Sequence, residues 1–443
     1  MKRSRIYFLL IAAAACTEQS TAPGVCPDFC PPGQIQSHDS VFSIIERDSS
    51  FRGYVQSFHA FTMTVADLPG VVDSRAFFTT DTVLSRIQAK IGDTTTVPKV
   101  VDSLRVRFIV VQRPKNTTGL KLRLYRLPVT SDSTSDFASL DPYFVAAPID
   151  SVDISRLLQV PGATDTAITN YWATICQTCI DSVRVDPEEN VLLTQLDSTL
   201  LLFVKLDTLQ APLSEADTGR LAIGFRVAAD SFASVVLSTM ETGASSPLVR
   251  WFYHYTIPDT VSATPDSVVA NDKVVPPRFD NFVFTPPTPP IDSNLAVGGV
   301  PSARTIVRVA MPNFLHDTID VVRATLSLVP VGAVQGAPSD SFRIIARPVL
   351  GDLGAKSPVN TGSFLADSTF VHIGSSDTVR LEVTKMVQAW SLDTSLVTTF
   401  VIVPQPGIEA GSYTEARFYS TRAPAFRPTL RVTYVSRYQF GRP

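Results

Sequence analysis

Apolar and polar residues alternate with a period of two along much of the chain. In the segment 103–110 every second position is apolar, and two arginines point the opposite way. The same alternation recurs at 121–126, 304–309 and 430–434. A period of two is typical of β-strands with one buried side and one side facing water.

Helical spacing is confined to short pieces, of which 383–390 is the clearest. Asp-Ser, Asp-Thr and Pro-Gly dipeptides separate the strands as turn formers. Many short strands with few helices predict an all-β protein. We therefore expect two tandem antiparallel jelly-roll-like β-sandwich domains.

Proline-rich segments suggest where the domains end, since proline is excluded from helix interiors and central strands. One such segment lies at 17–39, and another near 257–290 includes six residues with four prolines at 285–290. The order of strand types is similar on both sides of the second segment, which favours a loose tandem duplication. The expected parts are a signal peptide (1–15), a lipidated tether (16–39), a first sandwich (40–256) with an insertion at about 160–200, a proline-rich linker with the start of the second domain (257–290), and a second sandwich (291–443).

The first residues resemble an export signal. Basic residues at positions 2, 3 and 5 precede the apolar run 6–15, which is about half the roughly 20 residues that a spanning helix needs. Ala13-Ala14-Ala15-Cys16 resembles the lipobox of bacterial lipoproteins, and this resemblance implies cleavage before Cys16 and lipid attachment to it. The alternative is an ordinary signal peptide, cut after Ala15, that leaves Cys16 free.

Composition narrows the choice of partners. The chain has 38 basic and 41 acidic residues, a net charge of −3, and removal of the signal peptide would make it more acidic. Nucleic-acid binding requires a basic surface, so no nucleic-acid partner is expected. The expected location is the cell envelope, on the outer membrane, facing the surface or the periplasm. The expected partners are the membrane, through the lipid, and a polysaccharide or another envelope protein.

Four further cysteines form two close pairs, Cys26 with Cys30 and Cys176 with Cys179. In an oxidising compartment an even count favours disulfides, although four cysteines allow three connectivities. A zinc site and a redox-active Cys-x-x-Cys pair remain open alternatives.

The second half of the chain resembles the DNRLRE-type domains. The resemblance rests on the strands 304–309 and 322–328, on the piece 381–390 that ends in a tryptophan, and on the closing segment 418–434. It implies a jelly-roll β-sandwich on a secreted bacterial protein. Some members of this group are carbohydrate-binding modules for acidic polysaccharides, but fold does not determine function.

Catalytic motifs are absent from the sequence. The five histidines form no His-Glu-x-x-His arrangement, and neither a Gly-x-Ser-x-Gly turn nor a Gly-x-x-x-x-Gly-Lys loop occurs. We expect a non-enzyme, although a triad assembled from distant residues is not visible to motif searching. No cofactor is expected apart from a candidate Ca²⁺ loop, in which Asp132, Asp136 and Asp141 supply oxygen ligands. The alternative is a solvated turn.

Two surface features suggest glycan binding. Tyr171 and Trp172 lie in the predicted insertion and are candidates for stacking on a sugar ring, whereas Trp251 and Trp390 are expected in the cores. Solvent-facing basic residues on two predicted strands are candidates for a basic face; these are Arg105, Arg107, Lys121 and Arg123. The sequence thus leaves two hypotheses: a structural or interaction protein of the envelope, and a carbohydrate-binding module.

Overall fold

The structure is a computed structural model that describes most of the chain from residue 37 to residue 436. The described residues are 37–43, 45–68, 72–88, 95–113, 118–157, 183–186, 191–196, 199–206, 219–230, 233–257, 267–285, 294–336, 341–351, 359–362, 365–405 and 414–436.

Strands dominate these residues. In chain order they are β1 (Ser37–Phe42), β2 (Ile45–Arg52), β3 (Thr62–Leu68), β4 (Val72–Thr80), β5 (Arg86–Gln88), β6 (Thr96–Pro98), β7 (Val100–Gln112), β8 (Lys121–Leu127), β9 (Asp150–Asp153), β10 (Val183–Asp186), β11 (Val191–Leu196), β12 (Thr199–Leu206), β13 (Ala222–Ala228), β14 (Ala233–Ser238), β15 (Leu248–Ile257), β16 (Ser267–Val275), β17 (Pro277–Phe284), β18 (Asn294–Gly298), β19 (Ala303–Val309), β20 (Ile319–Leu328), β21 (Ser341–Gly351), β22 (Asn360–Thr361), β23 (Asp367–His372), β24 (Val379–Glu382), β25 (Thr399–Pro404), β26 (Glu415–Tyr419) and β27 (Thr429–Ser436).

Helices are short. They are α1 (Phe137–Val145), α2 (Ile154–Leu157), α3 (Phe314–Asp317) and α4 (Thr384–Leu392), with 3₁₀ segments at Ser57–His59 and Met240–Ser245. α4 coincides with the helical spacing predicted at 383–390. Within the described ranges, no helix has the length and apolar character required to cross a membrane.

The first assembly is one large sheet rolled around a core. Its strand order is β10-β11-β12-β7-β14-β3-β4-β13-β8-β9, with β15 and β16 beside β7, and β17 beside β4. The residues of β7 that alternate inward, Leu104, Val106, Phe108 and Val110, are all buried as the sequence predicts. Phe108 on β7 contacts Phe225 on β13 with ring centroids 5.1 Å apart. Because β7 and β13 are not paired, this contact shows that two layers of the sheet face each other.

The second assembly consists of two sheets around a separate core. One has the order β1-β27-β20-β24, and the other β22-β21-β25-β19-β18-β26, with β2 beside β19 and β23 beside β21. Trp390 on α4 closes this core against Phe400 on β25, with ring centroids 4.6 Å apart. The strand pairs of both assemblies are antiparallel. The predicted all-β, antiparallel sandwich class is confirmed.

Strand pairing divides the chain differently from the predicted domain boundaries. β1 pairs with β27 and β2 with β19, so residues 37–52 lie in the second assembly, although we predicted them in the tether and the first domain. β16 pairs with β15 and β17 with β4, so both strands from the predicted linker lie in the first assembly. The alternation of a strand identifies its buried face but not its partner, which explains the difference. β17 begins at Pro277 and, among the described strands, pairs only with β4, as expected for proline at the start of an edge strand.

Candidate polyanion-binding face

Several residues singled out from the sequence lie outside the described residues. They are the predicted lipid site Cys16, the cysteine pairs Cys26, Cys30, Cys176 and Cys179, and the aromatic pair Tyr171 and Trp172. Lipidation, disulfide formation and sugar stacking at these positions therefore stay predictions.

The two remaining tryptophans are core residues, as predicted. Trp251 on β15 and Trp390 on α4 are each 1% exposed. Burial at this level removes both rings from contact with any ligand on the surface.

The candidate Ca²⁺ loop is a capped turn in the structure. Asp132 accepts hydrogen bonds from the Thr134 backbone and hydroxyl, and these bonds lower the pKa of its carboxyl group. Asp136 caps α1 by accepting from the Ser139 N–H at 2.8 Å. Asp141 instead binds the Nη1 atom of buried Arg75 at 2.6 Å. The three carboxylates thus have separate local partners, and among the described residues no group of three or more His, Cys, Asp or Glu is arranged to hold a metal.

The four basic residues that were predicted to share one face lie on two different faces of the first assembly. β7 carries Arg105 and Arg107, whereas β8 carries Lys121 and Arg123. β8 pairs with β13, whose Phe225 meets Phe108 of β7 across the core. Side chains that alternate with inward residues on these two layers therefore point away from each other.

On the outer side of β7, three cationic side chains form a row across adjacent strands. Arg105 on β7 is directly opposite Lys205 on β12 and directly opposite Arg250 on β15. Directly opposed residues on one face have Cβ atoms roughly 4.5–5.5 Å apart. We refer to Lys205, Arg105 and Arg250 as the cationic ladder.

Like charges placed directly opposite one another destabilise a sheet. One part of this cost is offset within the fold, because Arg250 Nε donates to Asp272 Oδ2 on β16 at 2.7 Å. Lys205 and Arg105 have no carboxylate partner within the described part of the chain, and Lys205 is exposed. Among the described residues, the charge of the ladder is therefore incompletely neutralised.

An aromatic ring orders the two guanidinium groups of the ladder. The Phe252 ring centroid lies 5.5 Å from the Arg105 Cζ atom and 5.1 Å from the Arg250 Cζ atom. Cation–π attraction at such distances contributes about 0.5–1 kcal/mol at exposed sites. Phe252 thereby limits the rotamers of both arginines before any ligand arrives.

Arg107 is not part of the cationic ladder but binds backbone carbonyl groups. Its Nη2 atom donates to the backbone carbonyls of Ala244 at 2.9 Å and Ser246 at 2.7 Å. These bonds fix the end of the 3₁₀ segment that leads into β15. Arg107 is therefore a residue that positions β15, whereas the predicted role on a basic face fits Arg105.

Sequence reasoning identified Arg105 but missed Lys205, Arg250 and Phe252. The alternation in Leu248–Ile257 places Arg250 and Phe252 on the solvent side, opposite buried Trp251. Lys205 is the only charged residue of β12, which is otherwise composed of apolar residues and one threonine. These signals mark each residue as outward-facing, but only strand register places the three cations side by side.

Comparisons with known proteins assign no family to this chain. No protein-family model and no curated protein matches the chain. Two viral structures align over most of its length. The Macrobrachium rosenbergii nodavirus structure aligns with 94% of this chain and 99% of its own at 11% identity and a TM-score of 0.11. The Faustovirus major capsid protein aligns with 93% of this chain and 91% of its own at 10% identity and a TM-score of 0.10. Such low scores support no statement about fold or function.

Proposed function

We propose that this protein is a non-catalytic protein of the bacterial cell envelope that binds an acidic polysaccharide through the cationic ladder. The observation that carries the proposal is the direct cross-strand alignment of Lys205, Arg105 and Arg250. A polyanion lying across the three strands would remove the repulsion between these side chains. Binding would therefore recover free energy that the unliganded sheet loses.

The chemistry of the ladder favours carboxylates. Two of its three members are arginines, whose planar guanidinium groups bind carboxylate oxygens in pairs. Phe252 holds both guanidinium groups near one ring, so less side-chain entropy is lost when a ligand binds.

The sequence supports an extracellular glycan over a nucleic acid. The basic and apolar start of the chain resembles an export signal, and the whole chain has a net charge of −3. Resemblance of the second half to DNRLRE-type domains points in the same direction. The ladder, however, lies in the first assembly, so the proposal stands on its geometry and not on the resemblance.

A binding assay with two matched alanine variants tests the ladder. Polygalacturonate serves as the acidic polymer and dextran as the neutral one. Arg105→Ala removes a ladder cation, and Lys121→Ala removes one cation from the opposite layer. We expect binding of polygalacturonate but not of dextran, with affinity about tenfold lower in Arg105→Ala and unchanged in Lys121→Ala. Affinity should also fall as salt shortens the Debye length.

Two outcomes would contradict the proposal: no binding of polygalacturonate by the wild type, and equal losses in the two variants. Trp172→Ala in the same assay tests the separate prediction of sugar stacking at Tyr171 and Trp172. A loss confined to Trp172→Ala would move the binding site to that pair.

Envelope anchoring is the second part of the proposal and rests on Cys16. Mass spectrometry of the N-terminal peptide from membrane-extracted protein should show acyl chains on Cys16. Cys16→Ser should fail to mature and should leave the membrane fraction. An unmodified Cys16 at the mature terminus would contradict anchoring and leave a freely secreted polysaccharide-binding protein.

A further inference from the structure

A cleft of about 340 Å³ lies beside the edge strand β17. The chain leaving β2 (53–58) forms one wall, the turn before α1 forms a second, and Pro301 of the second assembly contributes to the rim. Cavities of this size lie within the range of small-molecule sites, which is roughly 300–1,000 Å³. The cleft contains no residue of the cationic ladder.

Aromatic rings supply much of the wall. Phe58, Phe137 and Phe284 line the cleft and are partly exposed, whereas Phe282 also borders it but is 1% exposed and packs in the core. Phe58 also contacts Phe279, with ring centroids 6.3 Å apart, which fixes the connection from β2 against β17. Ring faces in a concave site bind the apolar side of a sugar ring or a similar molecule.

A buried amide adds a hydrogen-bond donor. Asn281 on β17 lines the cleft and is 3% exposed. Its Oδ1 atom accepts from the Phe282 N–H at 2.8 Å, so the oxygen is directed to the backbone and the NH₂ group away from it. In the described part of the chain, no group accepts a hydrogen bond from this NH₂. A ligand that carries a hydrogen-bond acceptor would pair with this NH₂ group.

The opposite rim offers acceptors and hydroxyl groups. Asp136 is exposed at the rim, and its Oδ1 atom caps α1 by accepting from the Ser139 N–H. Ser133 and Ser135 from the same turn also line the cleft. No lysine, arginine or histidine is among the lining residues.

These groups together define the ligand. An anion would face Asp136 with no compensating cation, and a purely apolar molecule would leave the Asn281 amide unpaired. A ring that carries neutral hydroxyl groups satisfies the amide, the carboxylate and the phenylalanine rings together. We propose that this cleft binds a neutral monosaccharide unit. This site goes beyond the polyanion-binding face and is independent of it.

The test measures neutral sugars and the acidic polymer on the same protein samples. Calorimetric titration with glucose, galactose, mannose and N-acetylglucosamine at millimolar concentrations gives the sugar affinity. Asn281→Ala removes the amide, and Ser133→Tyr fills the cleft from an exposed loop position without altering the core. Arg105→Ala serves as the control outside the cleft.

We expect binding of at least one sugar, an affinity about tenfold or more lower in Asn281→Ala and Ser133→Tyr, and no change in Arg105→Ala. If Asn281→Ala does not fold, Ser133→Tyr alone decides. Absence of binding for all four sugars, or equal affinity in wild type and Ser133→Tyr, would overturn the proposal. Polygalacturonate binding should be unaffected in Ser133→Tyr, so the two sites fail or succeed separately.

Discussion

Arg52 on β2 donates through Nη2 to Glu415 Oε1 on β26 at 2.5 Å, although the two residues are 363 positions apart. Both side chains are nearly buried, with 12% and 10% of their surfaces exposed. Glu415 also accepts from Arg417 Nε at 2.6 Å. This pair attaches a strand from the start of the described chain to a sheet formed by its end.

Loss of Glu415 should destabilise the second assembly. Glu415→Ala leaves Arg52 as a largely buried charge without its carboxylate, and removal of one partner from a buried pair costs about 3–5 kcal/mol. The measurement is the thermal-unfolding midpoint. Arg323→Ala is the control, because Arg323 is 68% exposed in its pair with Glu382 and exposed pairs contribute about 0–1 kcal/mol. Equal shifts in both variants would contradict the prediction.

Gly299 is required next to this pair. Its φ is +82°, and a Cβ atom there would lie 2.3 Å from Glu415 Oε2. Gly299→Ala should therefore cost roughly 1–3 kcal/mol through backbone strain and displacement of the carboxylate. The matched control is Gly332→Ala, where a Cβ atom would meet nothing within 4 Å. Denaturant titration should separate the two variants, and equal stability of Gly299→Ala and wild type would be inconsistent with this arrangement.

The pairing of β1 and β2 with strands of the second assembly predicts how fragments of the chain behave. A fragment of residues 286–443 lacks β1 and β2, and thus the strands that pair with β27 and β19. It should remain unfolded or aggregate, as judged by circular dichroism and limited proteolysis. The same fragment with residues 36–53 joined to its N-terminus by a flexible linker should fold. A stable fold of 286–443 alone would show that β1 and β2 are dispensable.

Asp280 on β17 should make stability depend on pH. It is 1% exposed, and burial raises the pKa of its carboxyl group from 3.8 to about 7. The Met240 N–H, which donates to Oδ2 at 2.6 Å, opposes this shift, and the Glu241 carboxylate adds to it. The pKa of Asp280 is higher in the folded state than in the unfolded state. Between pH 3.8 and about 7 the folded state therefore holds a proton on Asp280 that the unfolded state has lost. Stability should therefore fall as pH rises from about 4 to about 7, and level off above that.

Asp280→Asn measures this effect. The amide cannot ionise, so the variant should match the wild type near pH 4 and exceed it above pH 7 by on the order of 4 kcal/mol, given a difference of about three pKa units. Unfolding midpoints measured across this pH range for both proteins provide the comparison. Parallel curves with a constant offset would exclude ionisation of Asp280 as the cause.

Local pattern predicted the secondary structure well where burial alternates regularly. Leu122 and Leu124 on β8 and Leu430 and Val432 on β27 are all fully buried, as their spacing indicated. α4 was predictable from the sequence because its apolar residues have helical spacing, whereas those of the neighbouring strands have a period of two. The candidate face was predicted only in part. Arg105 was recognised as outward-facing, but Lys121 was grouped with it because alternation does not show which layer a strand joins.

The sequence by itself determined that this chain forms antiparallel β-structure, which side of most strands is buried, and that Trp251 and Trp390 belong to the cores. These properties follow from local periodicity, because the side chains of a strand alternate between two faces. Only the tertiary structure decided that β2 pairs with β19, that Lys205 and Arg250 flank Arg105, and that Asn281 lines a cleft. Each of these depends on register between strands far apart in the chain. Register is fixed by the packing of whole layers, which no local pattern contains.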